Sequence, residues 1–203
     1  MRVRGVLPWF RNGAWLLVVV LLGRDVVAQD MIEWDGVRQL HLSDFRSPAT
    51  AVGGGSQYSL QSAVGFDFLF SMSRGAFMFA KNFNEQVTCS FKPAASSLVA
   101  PDSSIARQLV GFARYQFDLN ELYARKFRQR MFEEKGAFSD ANFFRPAFDE
   151  LQQELTTRHT LAANSTDLGR KEAALQELHR AVLDELDRLK DFCRSCKPGR
   201  KRR

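Results

Sequence analysis

Apolar and polar positions change rhythm near residue 101. Before it, "SAVGFDFLFS" alternates, with Val64, Phe66, Phe68 and Phe70 on one face and Gly65, Asp67 and Leu69 on the other. Alternation of that kind is the period of a strand. "AFMFAK" predicts a second strand and "EQVTCSFKP" a third, with Val87, Cys89 and Phe91 on one face and Pro93 as its stop. Turn residues separate the three runs, which predicts an antiparallel meander. Upstream, "MIEWDGVRQLHLSDFRSPAT" predicts a short strand, a turn and a loop, and "AVGGGSQ" a flexible connection. From Pro101 the period becomes helical. Asp102, Ser103 and Ser104 offer capping oxygens, and Ile105, Leu109, Phe112, Gln116, Leu119, Tyr123 and Phe127 recur at spacings of three and four. Every member of that stripe except Gln116 is apolar or aromatic. "EEKGAFSDANFFRP" breaks the helix. A second helix is predicted from about 146 to 157, "LAANSTD" as a loop, and a last helix over about 168–192 with the stripe Leu175, Leu178, Val182, Leu186 and Leu189.

The N-terminus changes this picture. Arg2, Arg4 and Arg11 precede the apolar run "AWLLVVVLL", and Val26 and Ala28 supply small or apolar residues before a cleavage point after Ala28. Basic, apolar, then small is the layout of a secretory signal peptide. Nine apolar residues fall short of the ~20 that span a bilayer. The chain therefore divides into a signal peptide at 1–28, one domain at 29–196 and a basic, disordered tail at 197–203. An uncleaved membrane anchor stays open as the alternative for the first segment. No later segment is apolar enough to cross a membrane, so none remains after cleavage.

The net charge of +6 shifts with that division. Setting aside four Arg and one Asp in 1–28, and five cations in 197–203, the 29 basic and 23 acidic residues fall to 20 and 22. A body near −2 is not a nucleic-acid binder on charge grounds. The tail "KPGRKRR" could meet phosphate or an anionic membrane surface, although such runs are more often solvated ends. Export permits a disulfide, and three cysteines leave one thiol over. "CRSC" has redox spacing, but it follows a helix, whereas a stabilised thiolate needs a helix N-terminus. A structural bridge involving Cys193 or Cys196 is expected, with Cys89 the free, buried thiol. No second CxxC or histidine pair completes a zinc site.

Three blocks resemble a family of bacterial secreted zinc-dependent proteases, most of them uncharacterised. They are "EWDGVRQLHLSDFRSPATA", "VTCSFKPAASSLV" and "LVGFARYQFDLNELYARKFR", together spanning about residues 32–130. The third is the most specific: Phe117, Asp118, Glu121, Leu122, Tyr123, Ala124, Arg125 and Lys126 match the stretch that in the family follows His-Glu-x-x-His. That motif sets two imidazoles one helical turn apart on one Zn²⁺, with the Glu as general base. At its positions this chain has Phe112, Ala113 and Gln116. A phenyl ring cannot ligate, a methyl group cannot take a proton, and a neutral amide is a poor zinc ligand. Two Trp of the other blocks are replaced by Leu42 and Leu98. His41, His159 and His179 are the only histidines, and none pairs in sequence with another ligand, so no metal or other cofactor is expected. No Gly-x-Ser-x-Gly or phosphate-binding loop offers other chemistry.

The resemblance implies an α+β fold with a zincin-like arrangement: a small antiparallel sheet packed on a long helix, with C-terminal helices. It implies an exported, secreted or periplasmic protein whose catalytic positions are lost, a pseudoenzyme binding a peptide or an envelope protein. Asp118, Glu121, Tyr123 and Arg125 are the family residues that could keep a role. Each is equally a support of the fold, Arg125 pairing with Glu121 at i, i+4. Two alternatives stay open: a divergent active zinc-dependent hydrolase, and a structural envelope protein dimerising through its C-terminal helices.

Overall fold

The structure, a computed structural model, describes residues 30–69, 72–136, 139–140 and 142–199. The predicted signal peptide, Phe70 and the last four residues of the tail lie outside them. Its elements are β1 (Ile32–Glu33), β2 (Ala51–Val52), β3 (Ser59–Gln61), β4 (Val64–Phe68), α1 (Arg74–Phe79), β5 (Val87–Phe91), β6 (Ser97–Ala100), α2 (Ser103–Glu134), α3 (Arg145–Thr166) and α4 (Glu172–Arg188). The fold is α+β. No helix among the described residues is long and apolar enough to cross a membrane.

The strands form two sheets rather than one meander. The first is antiparallel, in the order β1-β5-β4, with Phe66 opposite Cys89. The second sets β6 between β2, which is parallel to it, and β3, which is antiparallel. Of the expected strand "AFMFAK", residues 76–79 are instead the last part of α1. Ser73 caps that helix, its hydroxyl accepting from the Ala76 N–H at 3.2 Å. A short apolar run satisfies either period, and this one buries a single ring, Phe77. With no strand between them, β4 and β5 pair directly. The "AVGGGSQ" connection contributes β2 before Gly53 and Gly54 turn the chain at φ of 94° and 92°. That left-handed backbone is available to glycine at no steric cost.

Helix α2 is the axis of the molecule. Asp102 caps it, Oδ1 accepting from the backbone N–H of Ser104 at 2.7 Å and of Ile105 at 2.9 Å. Both sheets and both later helices, α3 and α4, pack against α2. This enclosure buries nearly its whole circumference between Leu109 and Arg128. The first sheet meets it through Phe66, Val87, Cys89 and Phe91, all buried. Edge-on rings of Phe66, Phe68, Phe127, Phe144 and Phe148 close the far end, the nearest pair 4.5 Å apart.

Helix α3 runs past the predicted stop at 157 to Thr166, so most of the expected loop "LAANSTD" is helical. Ala162 and Thr166 are buried on its inner face, and the Thr166 hydroxyl donates to the Ala162 carbonyl at 2.7 Å. The helix ends at Asp167, which takes a left-handed conformation. Gly169 follows at φ 93°, so close to α2 that a Cβ there would stand 2.7 Å from the Gln108 carbonyl oxygen and 3.0 Å from the Phe112 Cβ. Only glycine lets this turn seat over Phe112. Helix α4 begins at Glu172, later than predicted, and gives way to a 3₁₀ turn at Lys190–Phe192.

Candidate functional site

The positions that the resemblance aligns with a zinc motif are core. Phe112 and Ala113 have no exposed surface, and Gln116 retains 9%. The Phe112 ring lies 5.7 Å from Tyr115 and 5.8 Å from His159, centre to centre. Gln116 Nε2 contacts His159 Nε2. Burial lowers the His159 pKa, favouring the neutral imidazole, whose Nε2 can accept the amide hydrogen. Gln116 Oε1 is buried without a partner. One imidazole, one amide and one phenyl ring do not make a zinc site. Among the described residues no three His, Cys, Asp or Glu side chains group as metal ligands.

His159 was invisible to spacing because it stands 43 residues from Gln116. A helix stopping near 157 also left it at a helix end; the longer α3 carries it to the α2 face. His179, on α4, is half-buried, its Nε2 2.6 Å from Asp118 Oδ2. His41 precedes a short 3₁₀ turn, its backbone N–H donating to Asp44 Oδ2 at 2.7 Å.

The open cleft lies elsewhere on α2. It has a volume of about 430 Å³ and is walled by Trp34, Arg38, Arg114, Asp118, His179, Leu183, Asp187 and Lys190, among others. A second hollow of about 540 Å³ shares Gln39, Arg114 and His179 with it, so the two adjoin along the α2–α4 seam. At the floor, Asp118 accepts from Trp34 Nε1–H at 2.7 Å through one oxygen and meets His179 through the other. The Arg125 guanidinium stands over the Trp34 ring at 5.1 Å. Arg114 Nε donates to the Leu40 carbonyl at 2.7 Å, tying the 34–40 segment to α2. Leu183 is 46% exposed at the rim.

The four residues singled out by the resemblance therefore divide. Asp118 and Arg125 face the cleft. Glu121 lies beneath them, wholly enclosed: its Oε1 takes Arg125 Nε at 3.0 Å and Arg128 Nη1 at 2.7 Å. Arg128 is 1% exposed and donates onward to the carbonyls of Val87 at 2.8 Å and Phe192 at 3.1 Å. Tyr123 faces away from the cleft, toward α3, with Lys126 Nζ 4.6 Å above its ring, and burial raises its phenol pKa.

Cys193 and Cys196 are joined in a disulfide, and Cys89 is a buried free thiol. Desolvation holds the Cys89 thiol well above its ordinary pKa, so it is not a nucleophile. Of the two leucines that stand where the resemblance has Trp, Leu98 is fully buried and Leu42 is 39% exposed. No family model matches the chain, and neither does any curated protein or solved structure.

Proposed function

We propose that this is an exported, non-catalytic protein of zincin-like build that binds a peptide segment of an envelope partner in the Trp34–Asp118–His179 cleft. Supporting this is the separation of two places on α2. The residues that stand where the resemblance puts metal and base are sealed under the Gly169 turn, while an open cleft persists beside them with two of the matched residues in its wall. The position of the cleft differs from the simplest version of the idea, in which the old metal site itself stays open. The walls combine apolar surface at Trp34 and Leu183 with cations at Arg38, Arg114 and Lys190. Such walls suit an extended peptide carrying an apolar anchor and a carboxylate.

Trp34 is the one tryptophan outside residues 1–28, so its fluorescence reports on the cleft. Titration with short peptides pairing Leu or Phe with Glu should quench or shift it saturably. Leu183→Asp with Lys190→Glu should weaken that binding at least tenfold, about 1.4 kcal/mol. Peptides that leave Trp34 unperturbed, or are cleaved in a chelator-sensitive way, would remove the proposal.

A further inference from the structure

The cleft and the second hollow form one furrow along the α2–α4 seam. The two helices run parallel: Gln108 meets Glu172, Asp118 meets His179 and Arg125 meets Leu186, in order along the chain. Trp34, Leu183 and Lys190 wall the part near the end of α4, and Gln39, Arg114 and His179 are common to both parts. From Leu175 to Lys190 the furrow follows 15 residues of chain. That is about 22 Å of helix, long enough for about six residues of extended peptide.

The end at Gln108 is shut. Gln108 Nε2 donates to Glu172 Oε1 at 3.0 Å across the seam. The Gly169 turn presses so closely there that a Cβ on it would stand 2.7 Å from the Gln108 carbonyl oxygen. A peptide lying in the furrow cannot pass between the helices at this point, so the hollow accepts an end of a chain. The free charge beside it is positive. Arg107 is exposed and, among the described residues, has no ion-pair partner. Arg114 follows it two turns later on the same face and spends only its Nε, on the Leu40 carbonyl. Gly111 lies between them and puts no side chain into the hollow. Glu172, the acid that lines the hollow, is already bonded to the Gln108 amide. The amides of Gln39 and Gln176 also line it, and each can donate to and accept from a peptide backbone.

We propose, resting on the peptide reading above, that the furrow takes the free C-terminus of its partner. The terminal carboxylate lies at Arg114 and Arg107, and the apolar side chains before it lie along Leu183 and Trp34. Guanidinium groups on a carboxylate make charge-assisted hydrogen bonds, stronger than neutral ones. The same cations disfavour a peptide's amino terminus at this end. A carboxylate on an internal side chain has no use for a shut end, since the chain must continue past it.

The test is calorimetric titration of the full chain with acetylated hexapeptides that end in Leu, carry Phe and have no acidic side chain. Each is made as the free acid and as the C-terminal amide. The free acid should bind about tenfold more tightly than the amide. Arg107→Gln falls on an exposed side chain, so circular dichroism should match the parent. In that variant the advantage of the free acid should shrink to about threefold or less. Acid and amide binding with equal affinity would overturn the proposal and leave the peptide reading standing. So would an undiminished free-acid advantage in Arg107→Gln. Binding confined to peptides with an internal Glu, amidated or not, would also overturn it, by placing the carboxylate on a side chain. Silence from every peptide, those with Glu included, would remove the peptide reading and this inference with it.

Discussion

Phe112→Ala is expected to lower the unfolding free energy by about 3–5 kcal/mol. The ring has no exposed surface and fills space between α2, Tyr115, His159 and the Gly169 turn. Its removal leaves a cavity that cannot collapse easily, because the turn already approaches the α2 backbone at the limit set by glycine. Folded domains hold only about 5–15 kcal/mol in all, so the variant should be near the edge of folding. Phe112→Leu keeps much of the volume and should lose far less. Denaturant midpoints of the three proteins decide the matter. A loss under about 1 kcal/mol for the alanine variant would place the ring in an open cleft and undo the sealed-site account.

Glu121→Ala should cost a similar amount, about 3–5 kcal/mol, by leaving two buried guanidinium groups without their shared carboxylate. An exposed i, i+4 pair contributes only about 0.3–0.5 kcal/mol. The Arg125–Glu121 pair is not of that kind, since both side chains are under 10% exposed and Arg128 adds a second charge. The loss should also propagate. Arg128 ties α2 to β5 through Val87 and to the turn before the disulfide through Phe192, so hydrogen exchange should quicken at residues 190–196. The double variant Glu121→Met with Arg128→Met removes both charges and should recover much of the stability, as apolar replacements of buried pairs do. If Glu121→Ala melts within about 1 kcal/mol of the parent, the network is only a by-product of burial.

The helical half of the fold was legible where period and caps agreed. The α2 stripe from Leu109 to Phe127 is buried as its spacing predicts, Asp102 caps the helix, and Val87, Cys89 and Phe91 share the inner face of β5. The failures arose where local signals conflict or are silent. The "AFMFAK" run fits either period, and only Ser73 tips it to helix. Strands of two to four residues, such as β2 and β6, carry too little pattern to be seen and exist because β6 pairs on both sides. "LAANSTD" reads as a loop by its polar residues, yet Ala162 and Thr166 hold it to the core. At the site, the helix stripe and the resemblance marked Gln116, Asp118 and Arg125 on α2 but not Arg114 or Arg128, and missed both histidine partners. His159 and His179 reach Gln116 and Asp118 across 43 and 61 residues of chain, and no local spacing encodes such a meeting. Trp34 and Asp118 were both in matched blocks, but the hydrogen bond joining them across 84 residues emerges only from the packing of β1 against β5.

His159 makes the central claim testable by restoration. Phe112→His, Ala113→Glu and Gln116→His together put two imidazoles one helical turn apart with a carboxylate between them. His159 already touches the Gln116 position and supplies a third nitrogen, the number in a protein-held zinc site with one open position. Calorimetric titration of zinc into the parent and into the folded triple variant is the deciding measurement. A sealed remnant site predicts no stoichiometric zinc in the parent and an affinity at least tenfold higher in the variant, about 1.4 kcal/mol. One tightly held zinc per parent chain, or a folded variant with no gain, would contradict it.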